Sequence, residues 1–168
     1  MSLKNILPFV NYTLTTKLSP EEIQRRISEN VFPQKKYSFD FYWIKSTKPY
    51  QGEVSNNSFT IKRIIKGRNS FAPVIIGNIV SSTKTTQIKI KMRLPISILL
   101  FIIFWFGIVG YGLTMAIYNS IENGPSGNLA VLSIMFLFGC IILILPFKEE
   151  VKVSKRFLTE LFGGNEIT

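Results

Sequence analysis

Histidine is absent from this 168-residue chain, and cysteine occurs once, at Cys140. Without histidine the chain alone can build neither a Ser-His-Asp or Cys-His catalytic arrangement nor a histidine-containing metal site. A single cysteine excludes an intrachain disulfide and a cysteine cluster for zinc or iron-sulfur. Phosphate loops of the GxGxxG or GxxxxGK kind are also missing. The sequence therefore predicts a protein that is not an enzyme, with no catalytic residue, no metal and no cofactor.

Acidic residues are scarce: 10 Asp and Glu stand against 20 Lys and Arg, a net charge of +10. The excess lies in residues 1–93, where 16 basic and 5 acidic residues give a net charge of +11. A cytoplasmic leaflet that contains anionic lipid attracts such a segment by about 1 kcal/mol for each Lys or Arg near its surface. We therefore expect the lipid bilayer and its anionic headgroups as partners, and we do not expect nucleic acid.

Charged residues are missing from two long apolar runs, 94–118 and 129–147. At a helical rise of 1.5 Å per residue these runs extend about 37 Å and about 29 Å, close to the hydrocarbon thickness of roughly 30 Å. A core helix of a soluble protein would normally carry a polar stripe or end sooner. We therefore predict two transmembrane helices. The residues between them, 119–128, are rich in glycine and are predicted to form the short turn of a helical hairpin.

Basic residues flank the hairpin on one side only. Lys89 and Arg93 precede the first run, Lys148 and Lys152 follow the second, and the turn carries Glu122 with no Lys or Arg. Cytoplasmic segments next to membrane helices are enriched in Lys and Arg. We therefore expect a multi-pass protein of the inner (cytoplasmic) membrane, with both termini cytoplasmic and the first apolar run acting as its own insertion signal.

Short periodic apolar runs indicate that residues 1–93 form a small, antiparallel β-rich cytoplasmic domain, which makes the chain an α+β membrane protein. Ser19-Pro-Glu-Glu supplies an N-cap, a proline at the first helical position and a glutamate three residues after the cap, so an amphipathic helix is predicted over 20–30. Strands are predicted over 9–18, 37–45, 50–55, 58–65, 71–81 and 85–92, with Asn56-Asn57 as a tight turn. The last strand should lead directly into the first membrane helix.

The cytoplasmic tail, 148–168, is predicted to return to the same domain. Its first residues alternate charge with valine, which is typical of a strand or linker. Ser154 is a candidate N-cap, and two Phe and two Leu residues after it share one helical face. The sequence therefore predicts a short amphipathic helix over 154–162 that packs back on the sheet. The hairpin would then be an insertion near the end of one domain.

Basic residues of the predicted strands form the candidate binding site. Apolar and basic residues alternate along 58–65 and 85–92, which predicts a sheet with one apolar and one basic face. A basic turn over 66–69 has backbone amides suited to phosphate, although an ordinary solvated turn explains the same residues. The candidate contacts for an anionic lipid or ligand are Lys62, Arg63, Lys66, Arg68, Lys89, Lys91 and Arg93.

Several motifs follow one another in a characteristic order: Tyr50-Gln-Gly-Glu-Val, Phe59-Thr-Ile-Lys-Arg, Thr86-Gln-Ile-Lys-Ile, two apolar spans and a final Ser-Lys-Arg-Phe-Leu-Thr-Glu-Leu-Phe. This order resembles a group of uncharacterised small bacterial two-span membrane proteins with a cytoplasmic β-rich domain. A looser similarity is to pleckstrin-homology-like membrane proteins. The resemblance implies an anchored β-rich domain but no activity, ligand or site residue.

Two hypotheses of different classes fit these observations. The first is a non-enzymatic integral membrane protein that presents a basic interaction or lipid-contacting domain at the cytoplasmic membrane surface. The second is a ligand-gated membrane effector that senses a nucleotide or other anionic ligand and oligomerises through its hairpin. The second resembles small bacterial anti-phage effectors in which a β-barrel beside membrane helices senses a cyclic nucleotide. Two helices per chain allow a homo-oligomer in either case.

Overall fold

The computed structural model describes residues 9–33, 48–65, 71–82, 85–124 and 127–167. The elements in chain order are β1 (Phe9–Thr16), α1 (Pro20–Asn30), β2 (Val31–Pro33), β3 (Tyr50–Ser55), β4 (Ser58–Arg63), β5 (Val74–Ser81), β6 (Thr86–Arg93), α2 (Ile96–Asn123), α3 (Gly127–Phe162) and β7 (Asn165–Ile167). The strands form one seven-stranded sheet in the order β2-β3-β4-β5-β6-β1-β7. The α+β class expected from the sequence is confirmed.

All neighbouring strands in this sheet are antiparallel except β2, which runs parallel to β3. The turn Asn56-Asn57 joins β3 to β4 and places Ser55 opposite Ser58, which confirms the predicted hairpin. The sequence did not predict the edge strands β2 and β7, because each has only three residues and shows no alternating pattern. The predicted strand over 37–45 and the basic turn over 66–69 lie outside the described residues.

Several strand ends differ from the predicted ones: β4 ends at Arg63 rather than at residue 65, and β6 spans Thr86–Arg93 rather than 85–92. Two further differences have local reasons. β5 begins at Val74 rather than at residue 71, because Pro73 has no N–H to donate to a neighbouring strand. β1 ends at Thr16 rather than at Leu18, because the hydroxyl of Thr16 accepts a hydrogen bond from the backbone N–H of Leu18 at 3.2 Å and begins the turn toward α1.

Helix α1 begins and ends where the sequence predicted, at Pro20 and Asn30. The hydroxyl of Ser19 accepts a hydrogen bond from the backbone N–H of Glu22 at 3.3 Å, so the predicted N-cap is confirmed. Ile23 and Ile27, four residues apart, are buried. One face of α1 therefore packs against the sheet, while Glu21, Arg25 and Glu29 are exposed.

The hydrophobic core lies on one face of the sheet, here named the covered face. Alternate residues of each long strand are buried there: Leu14 on β1, Phe59 and Ile61 on β4, Ile75 on β5, and Ile88, Ile90 and Met92 on β6. A Cβ on Gly77 would lie 2.1 Å from the ring of Phe59. Glycine at that position on β5 therefore makes room for the largest side chain of β4.

Helix α3 corrects the predicted organisation of the second apolar run and the tail. The sequence predicted separate helices over 129–147 and 154–162, but α3 runs without interruption from Gly127 to Phe162 and contains Pro146. The charged residues that follow Pro146 end the apolar run without ending the helix, because Lys and Glu have high helix propensity. Burial of one side of the helix beyond Pro146 maintains the same regular structure.

The part of α3 after Pro146 contacts the covered face through residues at helical spacing: Phe147, Val151, Ser154, Leu158 and Phe162 are buried. Glu150 binds the guanidinium of Arg63 at 2.9 Å, and the ring of Phe157 stacks on Tyr50 with centroids 4.4 Å apart. At the end of the helix, the hydroxyl of Thr16 donates to the carbonyl of Phe162 at 2.8 Å. Strand β7 then pairs with β1, so residues from both ends of the chain complete one sheet.

Helices α2 and α3 form an antiparallel pair beside the sheet. The helix α2 spans Ile96–Asn123, whereas the predicted span was 94–118 followed by a turn over 119–128. The polar residues at its end continue the helix, and within it the hydroxyl of Ser120 donates to the carbonyl of Ala116 at 2.7 Å. The helix stops at Gly124, which has a φ of 85° and donates its N–H to the carbonyl of Ser120.

Most apolar side chains of this helix pair are uncovered. Of the most apolar 18-residue window, 6% is buried in α2 and none in α3. Both helices are long and apolar enough to cross a membrane. A core helix of a soluble protein would instead be largely covered by its own chain.

Candidate functional site

The face of the sheet opposite the core carries a group of basic side chains. Lys62 follows the buried Ile61 on β4, and Lys89, Lys91 and Arg93 alternate with buried neighbours on β6. These four residues are named the basic face. The alternation predicted from the sequence thus brings four of the seven candidate residues to one surface.

Strand register places Lys62 and Arg93 at the same level of the sheet. Lys62 pairs with Val74, Val74 pairs with Arg93, and Arg93 pairs with Phe9. Directly paired residues of antiparallel strands point to the same face. These four residues are named the proximal row, because Arg93 lies three positions before the first residue of α2. The next level away from α2 holds Thr60, Ile76, Lys91 and Asn11, and the level after it holds Ser58, Asn78, Lys89 and Thr13.

Negative charge is nearly absent from this surface. Among the strand residues that the structure describes, Glu53 is the one acid on the same side as the basic face, where it lies opposite Thr60. Lys62 is half-buried, and desolvation lowers the pKa of its ammonium group. Because a partly desolvated cation gains from a nearby anion, the surface is electrostatically suited to anionic groups.

Arg63 lies on the covered face and takes part in a different contact. Its guanidinium donates to the carboxylate of Glu150 at 2.9 Å, and the Arg63 side chain is 33% exposed. This ion pair joins β4 to α3, so Arg63 does not belong to the basic face. The other two predicted contacts, Lys66 and Arg68, lie outside the described residues.

A second polar cluster, which the sequence did not reveal, holds the end of the chain against β1. The ammonium of Lys155 lies 4.4 Å from the ring centroid of Tyr12 and 2.6 Å from a carboxylate oxygen of Glu166. Burial raises the pKa of Tyr12, whose hydroxyl is buried without a hydrogen-bond partner in the described part of the chain. These contacts fix α3 and β7 on the sheet. No spacing in the sequence relates residues so far apart.

The helix pair offers a shallow groove at the end remote from the sheet. Its lining is apolar apart from two asparagines at the rim: Gly112, Met115, Ala116, Asn119, Asn128, Val131 and Leu132. Nearer the sheet, the rings of Phe106 and Phe136 meet edge to face, 5.1 Å apart. None of these lining residues is charged, and all of them belong to α2 or α3.

Comparison with protein-family models found no match, and comparison with curated proteins found none either. Among the described residues, no group of three or more Cys, Asp and Glu side chains is placed to hold a metal ion. The basic face and the two uncovered apolar helices are therefore the features from which a function is argued.

Proposed function

We propose that this chain is a two-span integral membrane protein that holds a basic α+β domain at the cytoplasmic surface, where the domain contacts anionic lipid headgroups. One observation carries the proposal: most apolar side chains of α2 and of the first part of α3 have no cover. Phe101, Phe104, Ile134 and Phe138 are each 60% exposed or more. Each Å² of such surface costs roughly 25 cal/mol in water, a cost that lipid removes.

Helix length and charge placement support a membrane crossing with a defined direction. About 20 residues of helix cross a hydrocarbon core of roughly 30 Å, and each apolar segment provides that length. Lys and Arg lie near the sheet end of both helices, and none lies near the opposite end, where α2 carries Glu122. By the positive-inside tendency, the sheet and both termini face the cytoplasm of an inner-membrane protein.

The lone cysteine makes this topology directly testable. Cys140→Ser gives a cysteine-free background, into which Glu122→Cys and Ser81→Cys introduce single exposed thiols at opposite ends of the molecule. In intact cells we expect a membrane-impermeant maleimide to label Glu122→Cys, and to label Ser81→Cys only after permeabilisation. The protein should also stay in the membrane fraction after alkaline carbonate washing. Labelling of both sites from one side, or release by carbonate, would contradict the proposed topology.

The lipid contact is tested with the full chain in nanodiscs that contain phosphatidylcholine and phosphatidylglycerol. The ratio of motionally restricted spin-labelled phosphatidylglycerol to restricted phosphatidylcholine measures the preference for anionic lipid. We expect simultaneous Gln substitution of the four basic-face residues to lower this ratio toward one. Lys17→Gln, an exposed lysine next to the turn before α1, is the matched control. An unchanged ratio in the fourfold variant would contradict the headgroup contact.

One observation favours a second candidate function, a ligand-gated membrane effector. Because α3 passes from its uncovered apolar part into the core of the sheet domain without a linker, movement of the domain would move the helix. An anionic ligand, such as a nucleotide, on the basic face would then alter helix assembly. The test is growth inhibition and oligomerisation on addition of cyclic nucleotides. Harmless expression and an unchanged oligomeric state with each nucleotide would exclude this candidate.

A further inference from the structure

We infer that the strands of the α+β domain point away from the bilayer, so that, of the four basic-face residues, only Lys62 and Arg93 in the proximal row reach the lipid phosphates, which they bind beside the aromatic ring of Phe9. The inference rests on the proposed function, and it reduces the residues that contact lipid headgroups from the four of the basic face to two. A sheet lying flat on the membrane would instead place all four at one depth. The two arrangements differ in whether the distance of a residue from the membrane depends on its position along β6.

The connection from β6 to α2 fixes the depth of each cation. Leu94 and Pro95 alone separate the strand from the helix, and Leu94 is 3% exposed, so the connection is short and packed. At about 3.3 Å per residue, Arg93 lies at most about 10 Å from the start of α2, and Lys89 lies about 13 Å further along the same extended strand. The headgroup layer on each side of a bilayer is only about 5–8 Å thick. The long side chain of Arg93 spans the remaining distance, whereas that of Lys89 does not.

The course of α3 shows that the strands and the membrane-crossing helix share a direction. Glu150 binds Arg63 at the end of β4 nearest the proximal row, and the carbonyl of Phe162 accepts from Thr16 at the opposite end of β1. The helix covers about 18 Å between these contacts, against about 23 Å for β1 from Phe9 to Thr16. Helix α3 therefore follows the strands along the covered face. Since the same helix crosses the membrane, the strands point away from the bilayer.

The proximal row has the composition of a phosphate site at headgroup depth. Lys62 and Arg93 are two strands apart, about 10 Å at the backbone, with Val74 between them. Phe9, directly beside Arg93, is 46% exposed. Aromatic side chains favour the membrane interface, and Arg binds phosphate oxygens through its fork of N–H donors. None of these four residues is an acid, and in the part of the chain that the structure describes neither cation takes part in a salt bridge.

Single substitutions on one strand test the inference in the full chain. Arg93→Gln and Lys89→Gln remove the same charge from exposed positions of β6, four residues apart on the same face. In the nanodisc measurement, we expect Arg93→Gln to lower the preference for phosphatidylglycerol about fivefold, and Lys62→Gln to act similarly. At 0.15 M salt, Lys89→Gln should change it less than twofold, because the screening length is about 8 Å.

The possible outcomes separate this inference from the proposed function. Equal losses for Arg93→Gln and Lys89→Gln would overturn the orientation of the domain while supporting headgroup contact. No loss in any single variant or in the fourfold variant would overturn both proposals.

A second measurement does not depend on replacing a cation. In the Cys140→Ser background, fluorophores are attached at Asn11→Cys and Val80→Cys. Both positions lie on the sheet face opposite the covered face, and position 80 is further from α2 along the strands. A headgroup nitroxide should quench the fluorophore at position 11 more strongly than the one at position 80. Equal quenching at both positions would mean that the sheet lies flat and would overturn the inference.

Discussion

The two parts of α3 have the same backbone structure and opposite surroundings. In the first part, named the span part (127–146), Ile134, Phe138 and Leu145 are between 59% and 66% exposed. In the second part, named the docked part (147–162), Leu158 and Phe162 are at most 1% exposed. The backbone hydrogen bonds of a helix are satisfied internally in either solvent. The comparison therefore shows that side-chain cover, rather than helix formation, distinguishes the span part from the docked part.

The largest effect should come from removing a buried side chain of the docked part. We expect Leu158→Ala to lower the free energy of unfolding of the sheet domain by about 2–5 kcal/mol, because it leaves a cavity in the core. Leu137→Ala, in the span part, is the matched control: Leu137 is 61% exposed, so its loss should change domain stability little. Thermal unfolding in detergent, monitored by the fluorescence of a label at Ser81→Cys, measures both. Similar losses in the two variants would contradict the division of α3.

The next largest effect should come from a charge placed at an exposed apolar residue of the span part, which would face lipid, rather than of the docked part, which would face water. Ile141, in the span part, is 53% exposed, and Val153, in the docked part, is 41% exposed. We expect Ile141→Lys to disfavour membrane insertion by about 2.5–3.5 kcal/mol, because it places an ammonium in hydrocarbon. Val153→Lys, which faces water, should insert normally. The inserted fraction after carbonate washing measures both, and normal insertion of Ile141→Lys would place the span part outside lipid.

The sequence does contain a pattern that indicates a continuous α3, but two other patterns in the same segment favour a break. Phe147, Val151, Ser154, Leu158 and Phe162 are spaced by three or four residues, as one helical face requires. The alternation of Glu and Lys with Val at 149–153, and Pro146 just before it, favoured a strand or linker instead. The boundaries of α1 and β3 were predictable because the cap at Ser19 and the turn at Asn56-Asn57 are local.

The alternation of apolar and basic residues along each strand predicts which residues of the candidate site share a face, and nothing more about the site. The assignment of Lys89 and Lys91 to one face follows from the period of a strand. The alignment of Lys62 with Arg93 depends on the pairing of both β4 and β6 with β5, and such register is not a local property. The contact of Arg63 with Glu150 depends on how α3 docks. The sequence therefore predicted the charge of this surface but not which residues of different strands lie side by side on it.

A smaller effect should come from the ion pair beside the junction of the two parts of α3. Arg63→Gln and Glu150→Gln should each lower domain stability, and the double variant should lose less than the sum, with a coupling of about 1 kcal/mol. The pair is half-buried, with the Glu150 side chain 12% exposed, which reduces screening by salt. Thermal unfolding of the four proteins in detergent measures the coupling. Strictly additive losses would show that this contact does not hold the docked part in place.

The smallest effect concerns the far end of the docked part and depends on pH. Arg26 donates to the carbonyl of Leu161 at 2.9 Å and to the carboxylate of Glu22 at 2.7 Å, so Glu22 helps to position the guanidinium that caps α3. Hydrogen bonds from Arg25 and Arg26 lower the pKa of Glu22 from 4.5 to about 2. A lowered pKa stabilises the folded state above the unfolded-state value of 4.5, and this contribution is lost as the pH falls toward 2.

We therefore expect Glu22→Gln to unfold at a slightly lower temperature than the parent at pH 7, with the difference disappearing near pH 2. Glu29→Gln, which removes a partner of Arg25 but not of Arg26, is the control. A difference that persists unchanged at pH 2 would mean that the carboxylate charge of Glu22 does not support the docked part.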